Sequence, residues 1–291
     1  MTPRIIQSFC SDRCDDFQLF MYTCYFTVSC LFAKKSDIDL SIHTDEKFAD
    51  QINIAPYKNI YIDLDKCYSA PREFFAYAKL KAFEHEPLGT IHIDGDVFLK
   101  KNSILDMLRF DDYDCIVQHL ELEKCMEFAQ VWKDTDAGYK DIEYMPYMER
   151  KFDHMYNCGV LGFNNEKLFE DWYNGYFTML ERVKESDVKW LPAACPDIII
   201  EQKLLTDLCD FNNYNVKTLF VLNDLSEKDA VDAYAYDIGY QHVVCDKVKD
   251  IPTCLKVIRL FDKSIYNEIK MRWGQVFPQI FEYSESLTTL K

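Results

Sequence analysis

Short apolar runs and longer amphipathic stretches take turns along the first hundred residues, and each rhythm predicts its own element. Arg4–Phe9 reads as a strand, and the uncharged stretch Phe17–Ala33 as the body of a helix that runs to Lys34. Asp37–His43 alternates apolar with polar residues and Asn59–Leu64 is a β-rich run, so both predict strands. Ser69–Phe83 has helical spacing with Pro71 just inside its start, and Gly89–Val97 is an apolar strand that ends in acid. Strands that alternate with helices imply βαβ units, which place helices on both faces of a mainly parallel, mixed sheet. The fold class is therefore α/β and Rossmann-like, in a single domain.

Beyond residue 100 the rhythm weakens. Glu121–Asp153 is polar and aromatic with little periodicity, and it reads as a long excursion over a site. Tyr156–Phe163 returns to strand character, Glu166–Glu181 and Pro196–Leu208 are helical, and Leu255–Phe281 is an aromatic-rich amphipathic close. This gives the domain two halves, 1–115 and 116–250, followed by a helical segment at 251–291.

Composition narrows the partners. With 48% of 291 residues apolar, the chain can bury a sizeable core. Its 49 acidic residues outnumber 33 basic ones, and a net charge of -16 argues against nucleic acid as a partner. Twelve cysteines are scattered through a large domain with no export signal before them, which suits reduced thiols in a cytoplasmic protein. Cys10 and Cys14 lack a second pair at zinc-site spacing and read as packing residues. Phe17–Ala33 is too short for a membrane span and is diluted by Gln18, Thr23, Thr27 and Ser29, so it predicts a buried helix on the sheet.

The sharpest chemical signal is Ile91-His92-Ile93-Asp94-Gly95-Asp96-Val97-Phe98-Leu99, an apolar strand that terminates in two carboxylates one residue apart. Burying Asp94 and Asp96 without a cation or donors would cost several kcal/mol. Gly95 lets the backbone turn so that both acids face one ion, and a hard divalent cation suits carboxylate oxygens. In open α/β sheets the ligand crevice lies at the carboxyl ends of the strands, where such a motif would sit.

With this motif the sequence resembles the GT-A class of glycosyltransferases, whose D-x-D triplet ends a central strand and holds Mn²⁺ or Mg²⁺. Upstream, Phe75-Ala76-Tyr77-Ala78-Lys79-Leu80-Lys81 is similar to the helix that contributes a basic residue to the donor. Arg72 and Lys79 share one face of it through Ala76 and could both point at a pyrophosphate. Downstream, Tyr156-Asn157-Cys158-Gly159-Val160-Leu161-Gly162-Phe163-Asn164 resembles the asparagine-glycine strand of family 8 glycosyltransferases, the glycogenin and bacterial galactosyltransferase group. The resemblance implies that Asn157 and Gly159 adjoin the donor sugar. Pro196-Asp197-Ile198-Ile199-Ile200-Glu201-Gln202 resembles the family's acidic-Gln segment, which implies Glu201 and Gln202 beneath the anomeric carbon, with Asp197 as partner or substitute.

The likeness in motif order spans roughly 170 residues and then weakens. Family 8 ends in a His-Gly-Lys motif that completes the metal shell and touches phosphate. Gly239-Tyr240-Gln241-His242-Val243-Val244-Cys245-Asp246-Lys247 offers His242 and Lys247, but one residue short and without the internal glycine. Thr44 and Asp45 end a strand where relatives hold nucleobase and ribose. These positions together imply a metal-dependent glycosyltransferase with a donor-binding first half and a second half for donor sugar and acceptor. The donor would be a nucleotide-sugar, with a lean to UDP, and the acceptor a saccharide or lipid-linked sugar.

Rival readings remain at this point. A nucleotidyltransferase would need a Gly-rich phosphate loop, and Gln7–Asp16 contains no glycine. An inactive sugar-nucleotide-binding or assembly protein would keep the fold without turnover. The stretch from Leu255 mixes Ile258, Leu260, Phe261, Ile265, Tyr266, Ile269 and Trp273 with Lys256, Arg259, Lys263, Lys270 and Arg272. Such a mixture either docks peripherally on the inner face of a membrane or covers the core with a solvated basic side.

Overall fold

The computed structural model describes residues 3–12, 14–64, 76–122, 129–139, 142–148, 154–187, 189, 195–220, 237–243 and 247–287. Strand β1 (Ile5–Phe9) lies between β2 (Leu40–Thr44) and β4 (Ile91–Ile93), parallel to both, and β3 (Asn59–Ile62) adds a parallel edge beyond β2. On the other side β7 (His154–Phe163) runs antiparallel to β4 and to β6 (Cys115–Leu122), and β8 (Val216–Thr218) is parallel to β6. The seven strands make one sheet in the order β3-β2-β1-β4-β7-β6-β8. The chain steps outward from β1 to β3 and then returns to the opposite neighbour, β4. Strand order therefore reverses between β1 and β4, and their carboxyl ends open the crevice in which α/β sheets bind ligands.

Period-two alternation decides which layer each side chain joins. Ile116 and Val160 point into one core, and their neighbours Cys115, Val117, Leu161 and Phe163 point into the other. The first core is covered by α1 (Asp16–Lys35), α2 (Glu46–Ile52) and the short α4 (Ile104–Met107). The second is covered by α3 (Tyr77–Phe83), α6 (Glu166–Glu185), α7 (Pro196–Ile198) and α8 (Leu204–Asn212), with a π-helical turn (Ile199–Lys203) joining the last two. Asp15 opens α1 by accepting from the Gln18 amide, and the helix then buries thirteen side chains from Leu19 to Ala33. No helix among the described residues is long and apolar enough to cross a membrane.

Three elements differ from the sequence expectation. Gly89–Val97 is not one strand: after β4 the chain turns, with the Val97 amide bonded to the Asp94 carbonyl at 3.0 Å, and enters β5 (Val97–Leu99). β5 pairs with β9 (Tyr240–His242) in a separate two-stranded ribbon. The excursion at Glu121–Asp153 begins inside β6 and contains α5 (Ala129–Tyr139). The C-terminal close is three helices, α9 (Lys247–Phe261), α10 (Lys263–Trp273) and α11 (Pro278–Ser286). Asp262 separates the first two by accepting from the Ser264 and Ile265 amides, and Pro278 starts the third.

Those three helices settle where the C-terminal apolar residues go. Ile258, Ile265, Tyr266, Ile269 and Trp273 are buried, and the Trp273 and Phe277 rings lie 5.8 and 5.0 Å from Phe20 of α1. Among the apolar residues singled out in this stretch, Leu260 is the one strongly exposed. Through its buried side chains the stretch covers the core. Ile269→Ala should therefore cost about 2–5 kcal/mol in urea unfolding, the range for a cavity left by a buried aliphatic side chain. A change smaller than 1 kcal/mol would contradict the packing described.

Candidate functional site

Two strands and a turn assemble the central cluster. Asp94 leaves β4 directly, its amide donating to the Gly159 carbonyl at 3.0 Å. Asp96 precedes β5, and its carbonyl accepts from the Val243 amide at 3.1 Å, so the ribbon brings β9 alongside. Ligand atoms of Asp94, Asp96 and His242 consequently lie within 4.8 Å of one another. His242 Nε2 is 3.4 Å from Asp96 Oδ1, while its Nδ1 is buried and has no hydrogen-bond partner among the described residues. Gly95 and Gly159 are required by close approach. A Cβ at Gly95 would sit 2.1 Å from the Phe26 ring, and one at Gly159 would sit 2.3 Å from Gln118 Oε1 and 2.7 Å from His242 Cε1.

Two lysines neutralise the carboxylates from opposite sides. Lys79 on α3 reaches Asp94 Oδ1 at 3.0 Å, Glu201 Oε1 at 2.6 Å and the Cys158 carbonyl at 2.9 Å. Lys247, the first residue of α9, reaches Asp96 Oδ2 at 2.8 Å, and Tyr25 of α1 donates to its carbonyl at 3.0 Å. Burial would raise the Asp96 carboxyl, but Lys247 and then His242 hold it well below the ordinary carboxylate range. Burial would lower Lys79, and Asp94 and Glu201 outweigh it to raise the ammonium above its usual value. For His242, burial pulls down and the Asp96 carboxylate pulls up, with a net rise.

Asp197 and Glu201, on the Pro196–Lys203 turns, are both buried. Asp197 accepts from the Ala76 amide and from the Tyr176 hydroxyl, the latter at 2.8 Å. Burial, then the Glu201 charge, push Asp197 well above the carboxylate range, and burial raises Glu201 against the pull of Lys79. Gln202 on the same turn is half-buried. Asn157 is tied inward: it donates to Glu121 Oε1 at 2.6 Å and accepts from the Gly159 amide at 2.9 Å. Thr44 donates to the Phe9 carbonyl at 2.7 Å, and Asp45 caps α2 through the Phe48 amide while accepting from the Ser11 amide and hydroxyl. Those two residues stand at the end of β2, outside the cluster, with their side chains engaged in holding the first loop. Arg72 lies outside the described residues.

Sequence reasoning overlooked the polar residues of β6. Gln118 and His119 are fully buried behind Gly159 and His242, with Gln118 accepting from the Tyr240 hydroxyl and bonded to His119 Nδ1 at 3.1 Å. Burial, with His242 nearby, lowers His119 to about 3. The run Cys115-Ile116-Val117 before them was the available signal, but polar residues at buried positions break the apolar pattern on which strand prediction rests.

The profile of a family described as being of unknown function, DUF6734, matches residues 4–272. The chain belongs to that family. No curated protein matches it in sequence. Among solved structures it is similar to the galactosyltransferase LgtC in complex with donor and acceptor sugar analogs, at 15% identity and a TM-score of 0.47, over 99% of this chain and 97% of that one. It is also similar to the apo form of mouse xyloside xylosyltransferase 1, at 12% identity and 0.42, over 84% and 98%. A third likeness is to the apo glycosyltransferase GlyE of Streptococcus pneumoniae, at 10% and 0.43, over 96% and 64%.

Two outcomes follow from the geometry. Gly159→Ala should displace Gln118 or His242 and cost about 1–3 kcal/mol in chemical denaturation, as overpacking does. Asp197, raised in the folded state, contributes most to stability below its unfolded value of about 3.9 and loses that contribution as pH climbs toward its folded value. Wild-type stability should therefore fall relative to Asp197→Asn as pH rises above about 4, and a flat difference would mean that Asp197 is ionised in the fold.

Proposed function

We propose that the protein is a metal-dependent glycosyltransferase that moves a hexose from a nucleoside diphosphate sugar, a UDP-sugar in the first instance, to a saccharide acceptor. The observation that carries the reading is the convergence of Asp94, Asp96 and His242 at the strand-order reversal, with two lysine ammonium groups on the carboxylates. The donor set fits a divalent ion: two carboxylates and an imidazole suit Mn²⁺, and the buried Nδ1 of His242 has a nitrogen lone pair or proton that no described residue uses. Bound there, the ion would offset charge on the departing diphosphate.

The chain's own residues divide the remaining work. Lys247 is a third exposed and stands where an ammonium could turn from Asp96 to a phosphate oxygen. Lys79 is enclosed, and it holds Asp94 and Glu201 in register as a fixed positive charge rather than as a mobile donor ligand. Glu201 is engaged by that lysine and is poorly placed to accept a proton, and both Asp197 oxygens already accept hydrogen bonds. Neither acid is then free to act as general base, which favours retention of anomeric configuration with Gln202 facing the sugar. An inverted product linkage by NMR would remove that assignment.

A panel of nucleotide-sugars scored by thermal shift with and without Mn²⁺ tests the proposal. The right donor at a hundredfold excess over its dissociation constant should stabilise the fold by about 2.7 kcal/mol, and nucleotide should be released once acceptor is present. Asp96→Ala should lose the Mn²⁺-dependent part of both signals. Indifference of the wild-type protein to every pair would end the proposal, and stabilisation without release would indicate a binding protein.

A further inference from the structure

The turn that carries Asp94 and Asp96 is latched from beneath by one side chain. Gln7 is fully buried in β1 and faces α1. Its Nε2 lies 2.9 Å from Ser29 Oγ and 3.1 Å from the Asp94 carbonyl, and its Oε1 lies 2.6 Å from the Tyr57 hydroxyl. Ser29 in turn donates its single hydrogen to the Val97 carbonyl at 2.6 Å. With that hydrogen committed, Ser29 Oγ must accept from Gln7, which fixes the amide with nitrogen toward Ser29 and oxygen toward Tyr57. Both amide hydrogens are then used, one directly on the first carbonyl of the turn and one through Ser29 on the last.

This arrangement needs two donors and an acceptor on one planar group. A glutamate in that place supplies no donor, an asparagine falls a methylene short, and an apolar residue leaves the Asp94 carbonyl without its side-chain donor. The turn is also pressed from the same side by Phe26, whose ring lies against Gly95 and whose carbonyl is 3.1 Å from the Tyr57 hydroxyl. Backbone position at Asp94 and Val97 sets where the two carboxylates point, because only Gly95 and Asp96 separate them.

We infer that Gln7, through its two-carbonyl latch with Ser29, is a positioning residue that sets the spacing of the Asp94 and Asp96 carboxylates and hence the fit of a divalent cation. The inference rests on the metal-site reading above. Groups that orient metal ligands in this way typically change metal affinity tenfold to a hundredfold when removed.

Mn²⁺ binding to the full chain, followed by electron paramagnetic resonance alongside circular dichroism and urea unfolding, tests it. Gln7→Met should weaken Mn²⁺ binding by about tenfold or more. Ser29→Ala, which removes one hydroxyl, should weaken it less but in the same direction and alter the line shape of the bound ion. Thr27→Val, at a buried α1 position whose hydroxyl has no partner among the described residues, should leave affinity and line shape unchanged. A folded Gln7→Met protein with wild-type affinity overturns the inference, and if that variant does not fold, unchanged affinity and line shape in Ser29→Ala overturn it instead. A wild-type protein that binds no Mn²⁺ defeats the metal reading and this inference together, whereas wild-type binding matched by every variant defeats the inference alone.

Discussion

Two carboxylates placed where a hydrophobic strand ends must find positive charge, and the rest of this molecule is arranged around that demand. Asp96 is almost wholly enclosed and Asp94 about two-thirds enclosed, so neither is neutralised by water alone. Their partners arrive from segments far apart in the chain: Lys79 from α3, His242 from β9 and Lys247 from α9. Removing one partner of such a buried pair leaves an uncompensated charge and is far more damaging than losing an exposed ion pair. The site thus ties α3, β9 and α9 to the Asp94–Asp96 turn electrostatically.

Close backbone approach makes that convergence possible. The ribbon of β5 and β9 hangs from the Asp94–Val97 turn, and it carries His242 into contact with Asp96 only because Gly159 leaves room for the imidazole. On the other side Gly95 lets the turn lie against the Phe26 ring. The uncharged helix α1 supplies more than apolar cover: Ser29 latches the turn and Tyr25 holds the start of α9. A helix that reads as plain core is therefore also the floor of the site.

Within the cluster, charge is divided between fixed and available groups. Lys79, Glu201 and Asp197 form an enclosed group that bonds to the Cys158 carbonyl, the Ala76 amide and the Tyr176 hydroxyl. Lys247 and Gln202 are the more accessible members. The π-helical turn at Ile199–Lys203 contributes to this division, since an extra residue per turn alters which side chains face the sheet.

Local pattern was enough to establish an α/β chain with strands at Arg4–Phe9 and Tyr156–Phe163, a buried helix over Phe17–Lys34, and an acidic pair at a strand end. Those features depend on neighbours in the sequence, through hydrophobic period and turn chemistry. The same pattern could not show that Gly89–Val97 splits between two sheets, that β6 exists with Gln118 and His119 buried, or that Asn157 and Asp45 turn their polar atoms inward. Nor could it show that Gln7 bonds to Ser29, Tyr57 and the Asp94 carbonyl. In each case the outcome is set by which distant group supplies a hydrogen bond or a charge. Gln7 and Ser29 are 22 residues apart and Lys79 and Glu201 are 122 apart, separations that only the folded chain closes.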